Sequence, residues 1–156
     1  MTIAAKAFNP ADLEPYVKSG YPEPFRALVI PRTKLELGDA SGLTKIGVNL
    51  TTLAPGKVSS MRHWHTHEDE LVYVVSGELV LITDAGEEPL REGQCVGFPA
   101  GLANAHHLAN RSSEPVVYLE ISNRDAEDSV QYPDVDLRWN APDARGRYSH
   151  KDGRPY

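Results

Sequence analysis

The stretch that decides the fold of this chain runs from residue 56 to residue 77 and reads GKVSSMRHWHTHEDELVYVVSG. Three histidines alternate over residues 63–67, which we predict to form a strand. Because alternate side chains of a strand face the same side, with Cα atoms ~7 Å apart, His63 and His65 can converge on one ion. Glu70 opens the next apolar run, on a strand that can pair ~4.8 Å away. These three residues predict a metal site.

A fourth ligand has to come from a distant part of the chain, where His106 and His107 stand side by side. His106 opens a predicted strand over residues 106–109, so we assign the fourth position to it and keep His107 as the alternative. Three imidazoles and one carboxylate suit a divalent transition metal (Fe, Mn, Ni, Zn, Co or Cu) in an open site. His67 shares the alternation of the first cluster, but we predict that it has entered the following turn and faces solvent.

Short β-like runs separated by Gly, Pro, Asn and Asp turns fill the centre of the chain. The predicted strands cover residues 46–50, 71–75, 78–83, 95–98 and 116–122, in addition to the two that carry histidines. No long amphipathic helix lies between them, which argues against a βαβ fold. The pattern predicts an all-β protein, with an antiparallel sandwich or barrel over residues 44–122.

Both ends of the chain differ from the centre in amino-acid composition. Residues 1–43 are rich in proline, so we predict an arm with at most one short helix, over Ala11–Val17 with Asn9 as its N-cap, and a first strand over Arg26–Ile30. Residues 123–156 keep too much aromatic and aliphatic surface for a disordered tail. We expect this extension to pack on the barrel or on a partner subunit.

Two motifs in the centre of the chain resemble those of the cupin superfamily. The first cupin motif is a glycine, then His-x-His, then a Glu and a Gly at set spacings, and the matching residues are His63, His65, Glu70 and Gly77. The second motif is matched by Gly93, Pro99, Gly101, His106 and Asn110. His106 keeps the family's three-residue gap to Asn110, which favours it over His107. The gaps from Gly56 to His63 and from Gly101 to His106 are longer than in the family.

The resemblance implies a cupin-type antiparallel β-barrel, also called a double-stranded β-helix or jelly roll, with extended N- and C-terminal arms. It further implies a divalent metal in the mouth of the barrel, and barrels that pair as a homodimer. Cupins include oxygenases, isomerases, lyases and proteins that only bind, because one fold hosts many functions. We expect a metal-dependent enzyme acting on a small oxygen-rich metabolite, with His67 or His107 as candidates to move a proton. The alternative is a non-catalytic binding or sensing module in which the metal anchors the ligand or stabilises the fold.

Composition excludes several other classes of protein. The formal charge is −6, from 16 basic and 22 acidic residues, and no basic patch carries interleaved aromatics, so we expect no nucleic-acid partner. We also expect no membrane contact and a cytoplasmic location, because neither a targeting segment nor a long apolar run is present. The single cysteine, Cys95, excludes an intrachain disulfide framework, and we predict it to be a small buried strand residue.

Overall fold

The computed structural model describes residues 5–139 and 148–156, which carry short strands and two one-turn helices. The strands are β1 (Arg32–Glu36), β2 (Ile46–Leu53), β3 (Trp64–His65), β4 (Glu70–Ser76), β5 (Glu78–Thr83), β6 (Gly86–Arg91), β7 (Cys95–Phe98), β8 (His107–Ala109), β9 (Val116–Asn123), β10 (Val130–Gln131), β11 (Arg138–Trp139) and β12 (Tyr148–Ser149). The helices are α1 (Arg26–Val29) and α2 (Leu37–Ala40), and a 3-10 turn covers Pro10–Asp12. Residues 1–4 of the predicted arm and 140–147 of the predicted extension lie outside the described residues.

The strands of the described ranges form three antiparallel sheets. Five strands pair in the order β1-β2-β9-β4-β7, three in the order β6-β5-β8, and four in the order β12-β11-β10-β3. Every pairing between these strands is antiparallel. In that part of the chain the helices are limited to single turns, which confirms the predicted all-β class. None of the described helices is long and apolar enough to cross a membrane.

The main hydrophobic cluster lies between the five-stranded and the three-stranded sheet. Each sheet contributes the side chains of alternate residues, as the period of a strand requires. The buried members, which we call the barrel cluster, are Leu53, Val72, Val74, Leu79, Leu81, Leu90, Leu108, Val116 and Tyr118. Gly77 makes the turn from β4 to β5 with φ +89°, and an added Cβ would lie 3.0 Å from Val116. A glycine is therefore needed where the chain passes from one sheet to the other.

A second hydrophobic cluster joins both ends of the chain to the barrel. Its buried members, which we call the arm cluster, are Tyr21, Val29, Met61, Val130, Tyr132 and Leu137. Strand β10 also pairs with β3, with Val130 opposite His65 and Gln131 opposite Trp64. The segment that follows residue 123 therefore packs on the barrel beside the predicted metal ligands.

The predicted strands in the centre of the chain are confirmed with small changes at their ends. Strands β5 and β7 have the predicted bounds, and β2, β4 and β9 contain the predicted runs. The predicted strand over 106–109 begins one residue later, at His107. Strand β6 was not expected, because Pro89 weakens the strand pattern there. A proline is tolerated at that place because β6 is an edge strand that pairs only with β5 among the described strands.

The prediction of a first strand over Arg26–Ile30 is wrong, because these residues form helix α1. A short apolar run does not distinguish a helical turn from a strand by its period. Here the backbone N–H of Arg26 donates to the carbonyl of Pro22 and that of Ile30 to the carbonyl of Arg26, which closes single turns. The first strand is β1 instead, and it pairs with β2 over its whole length.

The predicted helix over Ala11–Val17 is reduced to the 3-10 turn at Pro10–Asp12, although Asn9 does cap it by accepting from the N–H of Ala11. Pro15 removes a backbone donor and disfavours helix at the residue before it. With α1 and α2, the segment before residue 44 contains more helical turns than the one predicted. The predicted strand over 63–67 is shortened to β3. After His65 the backbone N–H of His67 donates to the side chain of Asp128.

Cys95 was predicted to be buried, and this prediction is wrong. The thiol is exposed on β7, opposite Tyr73 of β4. Both residues lie on the outer face of the five-stranded sheet, since Val72 and Val74, the neighbours of Tyr73 along β4, are the buried ones.

Candidate metal centre

Backbone pairing brings the predicted ligands to one place. His63 and His106 form an isolated antiparallel bridge in which each donates its N–H to the carbonyl of the other, at 3.1 and 2.8 Å. His65 lies in β3, two residues beyond His63, so both side chains face the same side. Glu70 is the first residue of β4. Residues more than forty positions apart in sequence are therefore neighbours in the fold.

One carboxylate oxygen of Glu70 faces three imidazole nitrogens. Glu70 Oε2 lies 2.8 Å from His106 Nε2, 3.6 Å from His63 Nε2 and 3.6 Å from His65 Nε2. The ring of His106 is stacked on Phe98, with centroids 3.4 Å apart and planes within 3° of parallel, which fixes its orientation. The structure thus brings together all four residues that the sequence singled out as ligands.

The other nitrogen of two of these rings is held by an acceptor. His65 Nδ1 lies 2.7 Å from Asp128 Oδ2, and His63 Nδ1 lies 2.9 Å from the carbonyl oxygen of Met61. A carboxylate or carbonyl oxygen can only accept, so each Nδ1 carries a proton, which leaves Nε2 as the nitrogen that would bind a metal in the neutral ring. Metal-binding histidines are usually oriented in this way. The donor set and its outer hydrogen bonds therefore fit a divalent transition metal.

The charges of the cluster suit the same chemistry. Burial raises the pKa of Glu70, but hydrogen bonds with His106 and His63 outweigh it and hold the pKa well below its usual range. Burial lowers the pKa of His106 more than Glu70 raises it. An ionised carboxylate and a neutral imidazole are the forms in which these groups bind a metal.

Asp128 belongs to the candidate site but was not expected there from the sequence. Besides His65, its carboxylate accepts from the backbone N–H of His67 at 2.8 Å and of Glu68 at 3.2 Å. Its pKa would be raised by burial but is lowered by these backbone bonds and by His65. Asp128 also forms, with His65 and Glu68, a second group of closely spaced ligand atoms. It lies far from the histidines in a segment without a motif, so the sequence contains no signal for it.

The candidate ligands open onto a cavity of about 410 Å³. Its wall includes polar side chains from outside the predicted motifs, among them Tyr21, Arg32, Lys34, Glu120 and Tyr132. Pockets of this size accommodate small metabolites. The cavity therefore combines a cluster of ligand atoms with charged groups of both signs.

Neither candidate for proton transfer lines this cavity. His67 is exposed, and its Nδ1 lies 2.8 Å from the hydroxyl of its neighbour Thr66. His107 Nδ1 bonds to the carbonyl of Ser60 at 2.9 Å. Because His107 follows His106 on one strand, its side chain faces the other side. The structure does not bring these two histidines to the cavity, and it places His106 rather than His107 beside Glu70.

Comparisons with known proteins agree with this architecture. The family model of the cupin domain matches residues 49–122. A protein of Silicibacter pomeroyi, described as a sugar phosphate isomerase from a cupin superfamily, is 38% identical, and the alignment covers 97% of this chain and 96% of that chain with a TM-score of 0.89. A protein of Acidithiobacillus ferrooxidans, provisionally named a sugar phosphate isomerase, is 36% identical over 76% of this chain and 74% of that chain, with a TM-score of 0.69.

A more distant likeness shows the fold alone. A polyketide cyclase of Streptomyces resistomycificus is 17% identical over 83% of this chain and 86% of that chain, with a TM-score of 0.67. A search of curated proteins gave no match. The match at 38% identity along nearly the whole length is decisive for the family and confirms the predicted cupin fold. The chain belongs to the cupin superfamily.

Proposed function

We propose that the protein is a metal-dependent isomerase that interconverts the aldose and ketose forms of a phosphorylated sugar. The observation that carries this proposal is the presence, in one cavity, of the histidine and glutamate cluster and of a separate carboxylate, Glu120. The similarity to proteins described as sugar phosphate isomerases supports the choice of reaction. Among the expected classes, isomerisation is the one that needs only proton transfer between neighbouring carbons.

His63, His65, His106 and Glu70 would hold the ion. Once bound there, a divalent metal supplies Lewis acidity, which makes a sugar hydroxyl easier to deprotonate and polarises a neighbouring carbonyl. The half-buried position of these side chains limits the access of water to the reacting atoms. The remaining chemistry belongs to residues that do not bind the ion.

Glu120 is suited to accept and return the proton that moves between carbons. It lies on β9, two residues from Ser122, which pairs with Glu70 across the sheet, so both carboxylates are on the inner face. Glu120 Oε2 accepts from Lys34 Nζ at 2.6 Å and from the hydroxyl of Thr51 at 3.1 Å. Burial raises the pKa of Glu120, but the positive charges of Lys34 and Arg32 lower it below its usual value. The group is therefore an ionised base at neutral pH.

In the proposed reaction Glu120 takes the proton from C2 of the aldose and returns it to C1. The proton that leaves the O2 hydroxyl is the one that O1 takes up, so that the aldehyde becomes a hydroxyl and the hydroxyl becomes a ketone with no net gain or loss of protons. Atoms and electrons balance within the substrate and the carboxylate. The reaction requires neither an oxidant nor an organic cofactor.

The test is turnover of a panel of aldose and ketose phosphates by metal-loaded protein in D2O, followed by proton NMR. We expect interconversion of at least one pair, with deuterium entering at C1 or C2. Glu120→Gln should lower the rate ~10²–10⁴-fold, the usual contribution of a positioned base. Glu114→Gln, which changes an exposed glutamate, should leave the rate unchanged. Tight binding without turnover or deuterium uptake across the panel would instead favour the binding or sensing module.

A homodimer and a cytoplasmic location remain predictions. The outer face of β4 carries the exposed side chains of Leu71, Tyr73 and Val75, each about two-fifths exposed, at 40%, 40% and 41%. Apolar side chains grouped on one sheet face suit a contact between two copies of the chain. Sedimentation at several protein concentrations tests this, since Tyr73→Glu should shift the protein toward the monomer.

A further inference from the structure

Arg32 is a cation in the cavity wall that forms no ion pair with a carboxylate of the described residues. It is the first residue of β1 and lies opposite Leu53, so its side chain is on the inner face of the sheet. One terminal nitrogen donates to the carbonyl oxygen of Ser59, while Nε is buried and lacks a hydrogen-bond partner. Within the described ranges, no carboxylate lies at ion-pair distance from this guanidinium.

The neighbouring cations are arranged differently. Lys34, two residues further along β1 and on the same face, is paired with Glu120. Six arginines elsewhere on the described surface have carboxylate partners, and these are Arg26, Arg62, Arg91, Arg111, Arg124 and Arg154. A buried donor without an acceptor costs the protein ~1–3 kcal/mol. Arg32 is therefore the cation of this cavity that stays available for an anionic ligand.

The surroundings of Arg32 place it close to the candidate metal centre. Ser59, which it contacts, precedes His63 by four residues along the same extended segment. Tyr21 lines the same cavity as Arg32 and Glu70, and its pKa is raised mainly by burial. Its hydroxyl accepts from the N–H of Met61 at 3.3 Å and lies 3.4 Å from the hydroxyl of Tyr132. A ligand in the cavity can reach both the guanidinium and the ion.

We propose that Arg32 is the specificity-determining residue that binds the phosphate group of the substrate, while the sugar end lies at the histidine and glutamate cluster. The choice of phosphate rests on the proposed function. A guanidinium presents paired N–H donors in a plane, which match two oxygens of a phosphate ester and keep their charge at any physiological pH. The guanidinium of Arg32 lines the cavity, and its buried Nε has no acceptor among the described residues. Binding at Arg32 would then fix which end of the sugar meets Glu120.

The first part of the test measures binding of inorganic phosphate to metal-free protein by calorimetry. Arg32→Met, which keeps an apolar stem and removes the charge, should weaken phosphate binding at least tenfold. Arg32→Lys, which keeps the charge and loses the planar fork, should give an intermediate affinity. Arg111→Met removes an exposed arginine outside the cavity and should match the wild type. Phosphate should also raise the Tm of the wild type and not that of Arg32→Met, because only a ligand of the native state stabilises it.

The second part compares a sugar phosphate with the same sugar unphosphorylated and with its sugar acid. Arg32→Met should raise KM for the sugar phosphate at least tenfold, and by far more than it raises KM for the unphosphorylated sugar. An unchanged preference for phosphate in folded Arg32→Met would overturn the role of Arg32 and leave the proposed isomerase intact. Phosphate binding that depends on Arg32, without turnover of any sugar phosphate, would support the role and overturn the isomerase. If only the binding of the sugar acid depended on Arg32, the proposal that Arg32 binds a phosphate group would be overturned.

Discussion

The barrel cluster and the arm cluster are both hydrophobic, but they are built in opposite ways. The barrel cluster comes from strands between residues 53 and 118, which follow one another closely in sequence. The arm cluster joins residues before 30 with residues after 129, through Met61 on the barrel. The first is a core that its own sequence pattern predicts, whereas the second unites segments from both ends of the chain that no local pattern brings together.

The candidate site contains residues from both of these regions. All four candidate ligands, His63, His65, Glu70 and His106, belong to the region that matches the cupin domain. The cavity beside them is also lined by groups from outside that region, such as Tyr21, Arg32 and Asp128. The matched region therefore provides the candidate ligands, and both ends of the chain add charged and aromatic groups to the cavity wall.

The largest expected effect comes from removing two ligands at once. His63→Ala combined with His65→Ala should abolish metal uptake, because two of four donor atoms are lost. Elemental analysis of purified protein measures the ratio of metal to chain. His67→Ala, an exposed neighbour, is the matched control and should retain the metal. If the wild type takes up no metal after reconstitution with any divalent transition ion, the metal site itself is refuted.

The two clusters can be separated by one matched pair of substitutions. Leu79 in the barrel cluster and Leu137 in the arm cluster have exposures of 0% and 1%, so Leu→Ala at each removes a similar buried side chain. Such changes typically cost ~2–5 kcal/mol. We expect Leu79→Ala to lower the free energy of global unfolding, measured with denaturant. Leu137→Ala should mainly weaken the packing of the N- and C-terminal segments on the barrel.

Hydrogen exchange shows whether Leu137→Ala loosens only the terminal segments or the barrel strands as well. Amides of the arm segments should lose protection, while those of β4, β5 and β9 should keep it, because local opening need not involve the core. Metal stoichiometry should also stay at the wild-type value. Equal loss of protection in the barrel strands of both variants would show that the two clusters form one cooperative unit.

A substitution at Asp128 tests whether the segment that follows β9 affects metal binding in the barrel. Asp128→Asn leaves an amide beside His65 Nδ1 in place of the carboxylate, so the imidazole is a weaker ligand and its tautomer is less fixed. Metal affinity, measured by competition with a chelator, should fall ~10–100-fold. Asp134→Asn, in the same segment but paired with Arg62, should not change it. An unaltered affinity in Asp128→Asn would mean that the barrel sets the metal site without help from the arms.

The smallest expected effect concerns an ion pair at the surface between barrel and arm. Arg62 contacts Asp84 of the barrel and Asp134 of the arm segment. Hydrogen bonding to Arg62 lowers the pKa of Asp134. Because half of the Asp134 side chain is exposed, with 51% accessibility, Asp134→Asn should cost only ~0.2–1 kcal/mol.

The pH dependence of this pair has a defined sign. The pKa of Asp134 in the folded state lies below the unfolded value of ~3.9, so the pair stabilises the fold at pH values above that number. The contribution is lost as the pH falls through the folded pKa. Denaturation curves of wild type and Asp134→Asn should therefore differ at pH 7 and converge under strongly acidic conditions. A difference that persists there would assign the effect to packing rather than charge.

The sequence predicted what depends on local pattern. Strands β5 and β7 have the expected bounds because their apolar runs end at turn residues. The grouping of His63, His65, Glu70 and His106 was also expected, since strand alternation and motif spacing constrain it. Helix α1 could not be predicted, because four residues are too few to show a helical period. Arg32 reaches the site through the pairing of β1 with β2, and Asp128 through the packing of the segment that follows β9, which no spacing along the chain reveals.

Cys95 makes the outer face of the barrel accessible to spectroscopy. It is the chain's single cysteine and its side chain is exposed, so a nitroxide reagent would attach at one defined position. That position is opposite Tyr73, on the face of the sheet turned away from the candidate metal centre. In a homodimer that uses this face, the two nitroxides would lie near each other and broaden the spectrum through their dipolar coupling. The wild-type chain therefore carries its own reporter of self-association, with no engineered cysteine required.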